Sequence, residues 1–309
     1  MSITLAFLLA ALSLDETPAC RTAFERVLQD NPLPSAFSSH VGFVQARVGD
    51  DGEAVWLLID TGANRSALDS GFAASNGLPI LEGSLVEGAA GVIQAGGTRV
   101  SDLRLGRVVL PTLSPTTSNL GGLQGPNGEP VAGILGSDAL DGLIIAMDFA
   151  AGTISISPPS VDAEVAGHCG RVVPTEDDNG ILRLQAKVDG HLLPLRYDSG
   201  AGIFQDDKVW INLTQAQHAI VRDGRPESAP FTTLGASGTG GQLSLPVHLG
   251  NRLEIGDLVW EEPRLIVQPS QGYFARREAV GFVGNALFWS WGRMIIDYPG
   301  NRLVLPPDS

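Results

Sequence analysis

Val44–Asp60 reads VQARVGDDGEAVWLLID and Leu184–Asp198 reads LQAKVDGHLLPLRYD. Each is an alternating strand, a Gly-containing hairpin turn and a second strand that ends on Asp. The first copy continues Thr61-Gly62-Ala63 and the second Ser199-Gly200-Ala201. Downstream, the Gly-rich stretches Gly88–Gly97 (GAAGVIQAGG) and Gly235–Gly241 (GASGTGG) are followed by LRLGRVVLP (103–111) and LEIGDLVWEEP (253–263). Last come GILGSDAL (133–140) with IIAMDFAAGTISI (144–156), matched by GFVGNALF (281–288) with MIIDYPGNRLVLP (294–306). Both copies read as a short helix feeding a closing hairpin. Any one of these matches means little, but four in the same order identify a duplicated, two-lobed chain.

The periodicity assigns residues 40–158 to one lobe and 170–309 to the other, with a Ser-, Pro- and Ala-bearing linker at 159–169. The second copy is longer: 84 residues separate Asp198 from Phe282, against 74 from Asp60 to Ile134. The polar stretch 210–230, with room for a short helix, is the expected place for the insertion. Within residues 20–39, TAFERVLQ predicts a helical segment packed on the first lobe, or alternatively a removable pro-segment.

Composition narrows the function. In 309 residues, 43% are hydrophobic and 17% charged, with 38 Gly and 20 Pro, the profile of a folded, turn-rich chain. The formal charge of −14 repels phosphate backbones, so nucleic acid is not an expected partner. Lys187 and Lys208 are the only lysines, and neither lies in a phosphate-cradling Gly loop. The two cysteines and five histidines show neither CxxC nor HExxH spacing, so no metal-ligand set is proposed.

These residues resemble the aspartic proteases of the pepsin/retropepsin superfamily, in particular the retropepsin-like branch in which each half carries Asp-Thr/Ser-Gly-Ala. The matching residues are Asp60-Thr61-Gly62-Ala63 with Ile134-Leu135-Gly136, and Asp198-Ser199-Gly200-Ala201 with Phe282-Val283-Gly284. The resemblance implies an all-β chain of two homologous β-barrel-like lobes related by a pseudo-twofold axis, the acid protease fold, with few short helices. It implies that Asp60 and Asp198 share one proton and activate a water against a peptide bond, with no metal or organic cofactor; the aspartic-protease dyad is a standard instance of two carboxyls too close to ionise together. Thr61 and Ser199 then act as scaffold rather than nucleophiles, and Gly62 and Gly200 offer backbone N–H groups to the carboxylates. Gly88, Ala89, Ala90 and Gly91 in the first lobe, and Gly235, Ala236, Ser237 and Gly238 in the second, become flaps over an extended peptide.

The chain departs from the pepsin-like pattern in three respects. Tyr197, Tyr273 and Tyr298 all fall in the second lobe, leaving no flap tyrosine in the first. Arg196 precedes the second Asp loop where Leu58 precedes the first; strand alternation puts Leu193, Leu195 and Tyr197 on one face and turns Arg196 to the other. Ala63 and Ala201 stand where pepsin-like enzymes commonly place a hydroxyl, which raises the expected pH range of the dyad.

Ile3–Leu14 is an apolar run too short to span a bilayer and the right length for a signal-peptide core, although no Lys or Arg precedes it. Residues 1–19 are therefore read as a signal peptide, with cleavage after Ser13 or after Ala19, and the protein as exported to the periplasm or the extracellular space. In an oxidising compartment Cys20 and Cys169 are expected to form a disulfide between the N-terminal segment and the linker. A lipid anchor at Cys20 is the alternative, against which Thr17 and Pro18 count. The expected activity is that of a monomeric, exported endopeptidase without a transmembrane span. The competing reading is a catalytically silent module that keeps the fold to capture peptides or a protein.

Overall fold

The computed structural model describes residues 18–202, 208–226 and 228–307. The proposed signal peptide therefore lies almost wholly outside the described residues. No helix among those described is long and apolar enough to cross a membrane.

Each lobe is built on a ten-stranded sheet with the same strand order. In the first, Val41–Val48 pairs antiparallel with Val55–Ile59, which runs parallel to Val131–Leu135. In the second, Ile181–Val188 pairs with His191–Tyr197, which runs parallel to Gly281–Val283. Alternation explains the fold of these strands. Leu57 and Ile59 enter the main core while Leu58 joins a smaller cluster with Val41, Phe43 and Val131 on the opposite face. Leu193, Leu195 and Tyr197 are likewise fully enclosed.

A third, six-stranded sheet joins the lobes. Its centre is the pairing of the two closing hairpins, Ile144–Asp148 against Arg293–Asp297, with Ile145 opposite Ile296. The duplicated hairpins thus become one continuous antiparallel sheet, covered by helices Pro18–Gln29 and Val161–Cys169. The first helix exists because Cys20, Ala23, Phe24, Val27 and Leu28 recur at helical spacing on one buried stripe. The second is capped by Ser160, whose side chain accepts from Ala163 N–H, and carries Asp162 and Glu164 in its first turn.

The linker expected at residues 159–169 is largely helix, Val161–Cys169. Two sequence expectations are corrected here. The N-terminal helix packs on the inter-lobe sheet, against Ile144, Ala146, Ile295 and Val304 from both halves, rather than on the first lobe alone. Residues following it contribute strands to two sheets, through Pro32–Leu33 and Ser35–Ser38. The extra length of the second copy is also placed differently. Ile134 pairs with Ala67 and Phe282 with Asn212, so seven residues separate Asp60 from its partner strand but fourteen separate Asp198 from its own. Most of the excess therefore precedes Asn212. The stretch that follows holds the end of strand Trp210–Thr214 and helix Gln215–Arg222, equipped with a Thr214/Gln217 capping box.

A disulfide joins Cys20 to Cys169 across a sequence separation of 149 residues. Cross-linking so long a loop restricts the unfolded chain, and its removal in Cys20→Ser with Cys169→Ser is expected to cost about 2–4 kcal/mol. Urea denaturation checks this; an unchanged midpoint would mean that helix packing alone sets the stability of this region. Free-thiol labelling of the unfolded, unreduced protein should find no reactive cysteine.

Candidate active site

Asp60 and Asp198 each leave the end of a core strand and are held by the neighbouring parallel strand: Asp60 N–H donates to Leu135 O at 3.0 Å and Asp198 N–H to Val283 O at 2.9 Å. This is the work of the Ile134-Leu135-Gly136 and Phe282-Val283-Gly284 segments. The loops then fold back on their own carboxylates. Gly62 and Ala63 N–H both donate to Asp60 Oδ1 at 3.0 Å, and Gly200 N–H donates to Asp198 Oδ1 at 2.9 Å.

The two loops meet through a reciprocal set of hydrogen bonds between lobes. Thr61 Oγ1 donates to Tyr197 O (3.1 Å) and accepts from Ser199 N–H (2.9 Å); Ser199 Oγ donates to Ile59 O (2.8 Å) and accepts from Thr61 N–H (3.0 Å). Both side chains are fully buried. Each hydroxyl satisfies a backbone donor and a backbone acceptor of the other lobe, so neither is free for nucleophilic use. Glycine is obligatory beside each Asp because of the opposite carboxyl. A Cβ on Gly62 would lie 2.6 Å from Asp198 Oδ1, and one on Gly200 would lie 2.6 Å from Asp60 Cγ.

This contact brings the carboxyls within hydrogen-bonding reach of one another. Burial raises the pKa of Asp60, opposed by hydrogen bonds from Asp198, Gly62 and Ala63. Asp198 is pushed well above the ordinary carboxylate range, first by burial, then by the charge of Asp60 and the hydrogen bond to it. Two enclosed carboxyls this close favour a single proton shared between them over two charges, and its titration belongs to the pair.

Two hairpins, one from each lobe, meet at their tips. The first, Leu81–Gly88 with Gly91–Gly97, turns at Ala89 and Ala90 as the sequence suggested. The second, Thr232–Gly238 with Gly241–Leu249, turns at Thr239 and Gly240, so Gly235 and Ala236 lie on its strand rather than at its tip. The tips touch: Ala90 N–H donates to Thr239 O at 3.0 Å.

Arg196 occupies the face opposite the buried Tyr197, paired with Asp178 (Nε to Oδ2, 2.9 Å) and lying over the Tyr273 ring at 4.7 Å. Sequence reading missed a buried relay behind the second Asp loop. Tyr197 Oη donates to Asn285 Oδ1, whose amide nitrogen donates to His40 O at 2.7 Å, bridging the lobes once more. The signal was present in the repeat: Tyr197 stands where the first copy has Ile59, and Asn285 where it has Ser137. Two larger polar residues at matched positions imply a contact found in only one lobe. Burial raises the Tyr197 hydroxyl well above its ordinary pKa, so it stays a neutral donor.

Comparison with known proteins agrees with this architecture. Residues 44–139 match the aspartyl protease family. An aspartic proteinase from Irpex lacteus superposes with a TM-score of 0.50 at 12% identity, over 90% of this chain and 97% of that one. A retropepsin-like aspartic protease from Rickettsia conorii matches 44% of this chain and 89% of its own at 14% identity, with a TM-score of 0.29. A search of curated protein sequences finds no match. In sequence over its first lobe, and in fold across nine-tenths of its length, the chain resembles the two-lobed aspartic proteases of the pepsin/retropepsin superfamily.

Proposed function

We propose that the protein is an exported aspartic endopeptidase whose dyad is Asp60 and Asp198. The observation that carries this reading is the reciprocal packing of each carboxyl against the glycine of the opposite Asp loop, inside the Thr61/Ser199 network. Asp60 takes a proton from water as the water oxygen bonds to the amide carbon, while Asp198 gives its proton to the carbonyl oxygen. In the collapse of the resulting gem-diol, Asp60 returns its proton to the amide nitrogen and the C–N bond breaks. Asp198 recovers a proton from one gem-diol hydroxyl, leaving an acid, an amine and the original dyad. An extended peptide beneath the two hairpins is the substrate class. The Cys20–Cys169 disulfide supports an oxidising compartment, hence export.

Incubation with a peptide mixture from acid to neutral pH tests the reading, with Asp60→Asn as control. Cleavage lost in the variant supports it; binding without cleavage in the wild type would favour the silent capture module instead.

The pH dependence follows from the donors. Asp60 receives only backbone N–H groups and its partner, because Ala63 has no hydroxyl to offer, and Ala201 has none for Asp198. Hydroxyl donors would stabilise the ionised form and lower both macroscopic values. With both carboxyls raised instead, the singly protonated window moves upward, and the optimum is expected at about pH 4–6. The profile of kcat/KM against pH should shift toward acid in Ala63→Ser with Ala201→Thr. An unchanged profile, or a wild-type optimum near pH 2, would refute this account of the tuning.

A further inference from the structure

We propose that Gln271 and Arg276 of the second lobe latch the first hairpin over the cleft and thereby set how fast the cleft opens. The latch itself is independent of the peptidase reading; only its consequence for substrate traffic rests on that reading.

The two hairpins are held down by different means. In the second, Leu243, Leu245 and Val247 are buried against Trp210 and Ile266 of the same lobe. The first has little of this packing: Leu81–Gly88 is largely exposed, and Leu85 and Val92 face solvent. At its base the first hairpin pairs with its own lobe, Gly96 and Gly97 against Thr117 and Thr116, but its tip is held by contacts from the other lobe. Ala89 and Ala90 pack against the apolar cluster around Trp210 and Leu243. Gln271 Nε2 donates to Ala90 O at 3.2 Å, and Arg276 forms an ion pair with Glu87. Between these two residues, Gly272 sits at φ +51° with its backbone pressed on the Gly88 carbonyl, where a Cβ has no room. Among the described residues, no hydrogen bond or ion pair joins the second hairpin to residues 119–130, the matching stretch of the first lobe. The latch is one-sided.

Such a latch is made in the closed form whether or not a peptide lies beneath it. Weakening it therefore speeds entry and exit together and leaves the equilibrium affinity nearly unchanged. A residue that merely shaped the binding surface would change affinity instead. A half-exposed ion pair is also screened by salt, so part of the latch should disappear at high ionic strength.

Both cysteines of the sequence are engaged in the disulfide, so Ala90→Cys introduces a single reactive thiol at the hairpin tip. Its labelling rate with a small thiol reagent reads opening without any substrate. Adding Arg276→Ala is expected to raise that rate by about fivefold. Glu87→Arg with Arg276→Glu should restore slow labelling, and about 1 M salt should erase most of the difference. Ala89→Cys serves if the first variant does not fold. In stopped-flow binding of a peptide carrying a hydroxyl in place of the scissile amide, Arg276→Ala should raise association and dissociation rates about equally, with Kd within about twofold. Unchanged labelling in Arg276→Ala, or a change in Kd with an unaltered association rate, would overturn the latch. Failure to bind or cleave any peptide, with labelling behaving as expected, would count against the peptidase reading and leave the latch standing.

Discussion

Asp198→Asn is expected to lower kcat for peptide cleavage by on the order of 10²- to 10⁴-fold while leaving the fold intact, and Asp60→Asn to do the same. The roles differ but the loss is shared. In the proposed mechanism Asp60 must be ionised to take the proton of water, and Asp198 must be protonated to supply the carbonyl oxygen, so an amide at either place removes one half of a concerted exchange. Because the two act as a unit, the double variant should be hardly worse than either single one. Stability should move the other way for Asp198. A carboxyl whose pKa is raised on folding favours the native state below its unfolded value, and that contribution is lost as pH rises through its folded value. Above the ordinary carboxylate range the unfolded chain releases the Asp198 proton more readily than the native chain does, which favours unfolding, and Asp198→Asn should be more resistant to urea near neutral pH than the wild type, with the difference shrinking in acid. Activity assays paired with urea titrations at two pH values check both signs. Near-normal cleavage by either variant would end the proposed mechanism.

Thr61→Val should damage both stability and rate. The valine keeps the volume but removes the donor to Tyr197 O and the acceptor for Ser199 N–H, and leaves both backbone groups buried without partners. At roughly 1–3 kcal/mol for each of the two stranded groups, a loss of about 2–6 kcal/mol is expected. The two Asp loops would then be free to shift relative to one another, and kcat should fall by on the order of tenfold or more, since small displacements of paired groups weaken proton transfer steeply. Thr61→Ser keeps the hydroxyl and should behave nearly as the wild type. If Thr61→Val and Thr61→Ser were equally active, the cross-lobe hydroxyls would have no part in aligning the dyad.

Much of this protein follows from local pattern and from its repetition. The Asp-Thr-Gly-Ala and Asp-Ser-Gly-Ala loops, the strands leading into them and the segments Ile134–Gly136 and Phe282–Gly284 were legible because period-two alternation and glycine placement are properties of contiguous residues, and because the chain states each of them twice. The outward turn of Arg196 could be read for the same reason, since adjacent side chains on a strand face opposite ways.

What local pattern could not convey are the relations between distant residues that belong to one lobe only. The position of helix Pro18–Gln29 on the inter-lobe sheet depends on Ala146 and Ile295 lying opposite one another, which only the pairing of the two closing hairpins brings about. The placement of extra residues before Asn212 depends on strand register, to which polar composition is indifferent. The relay from Tyr197 through Asn285 to His40, and the contacts of Gln271 and Arg276 with the first hairpin, join residues more than eighty positions apart and have no counterpart in the other half. Duplication makes the shared framework readable twice over; an asymmetric contact is written once, and it takes form only when the packing of the two lobes brings its partners together.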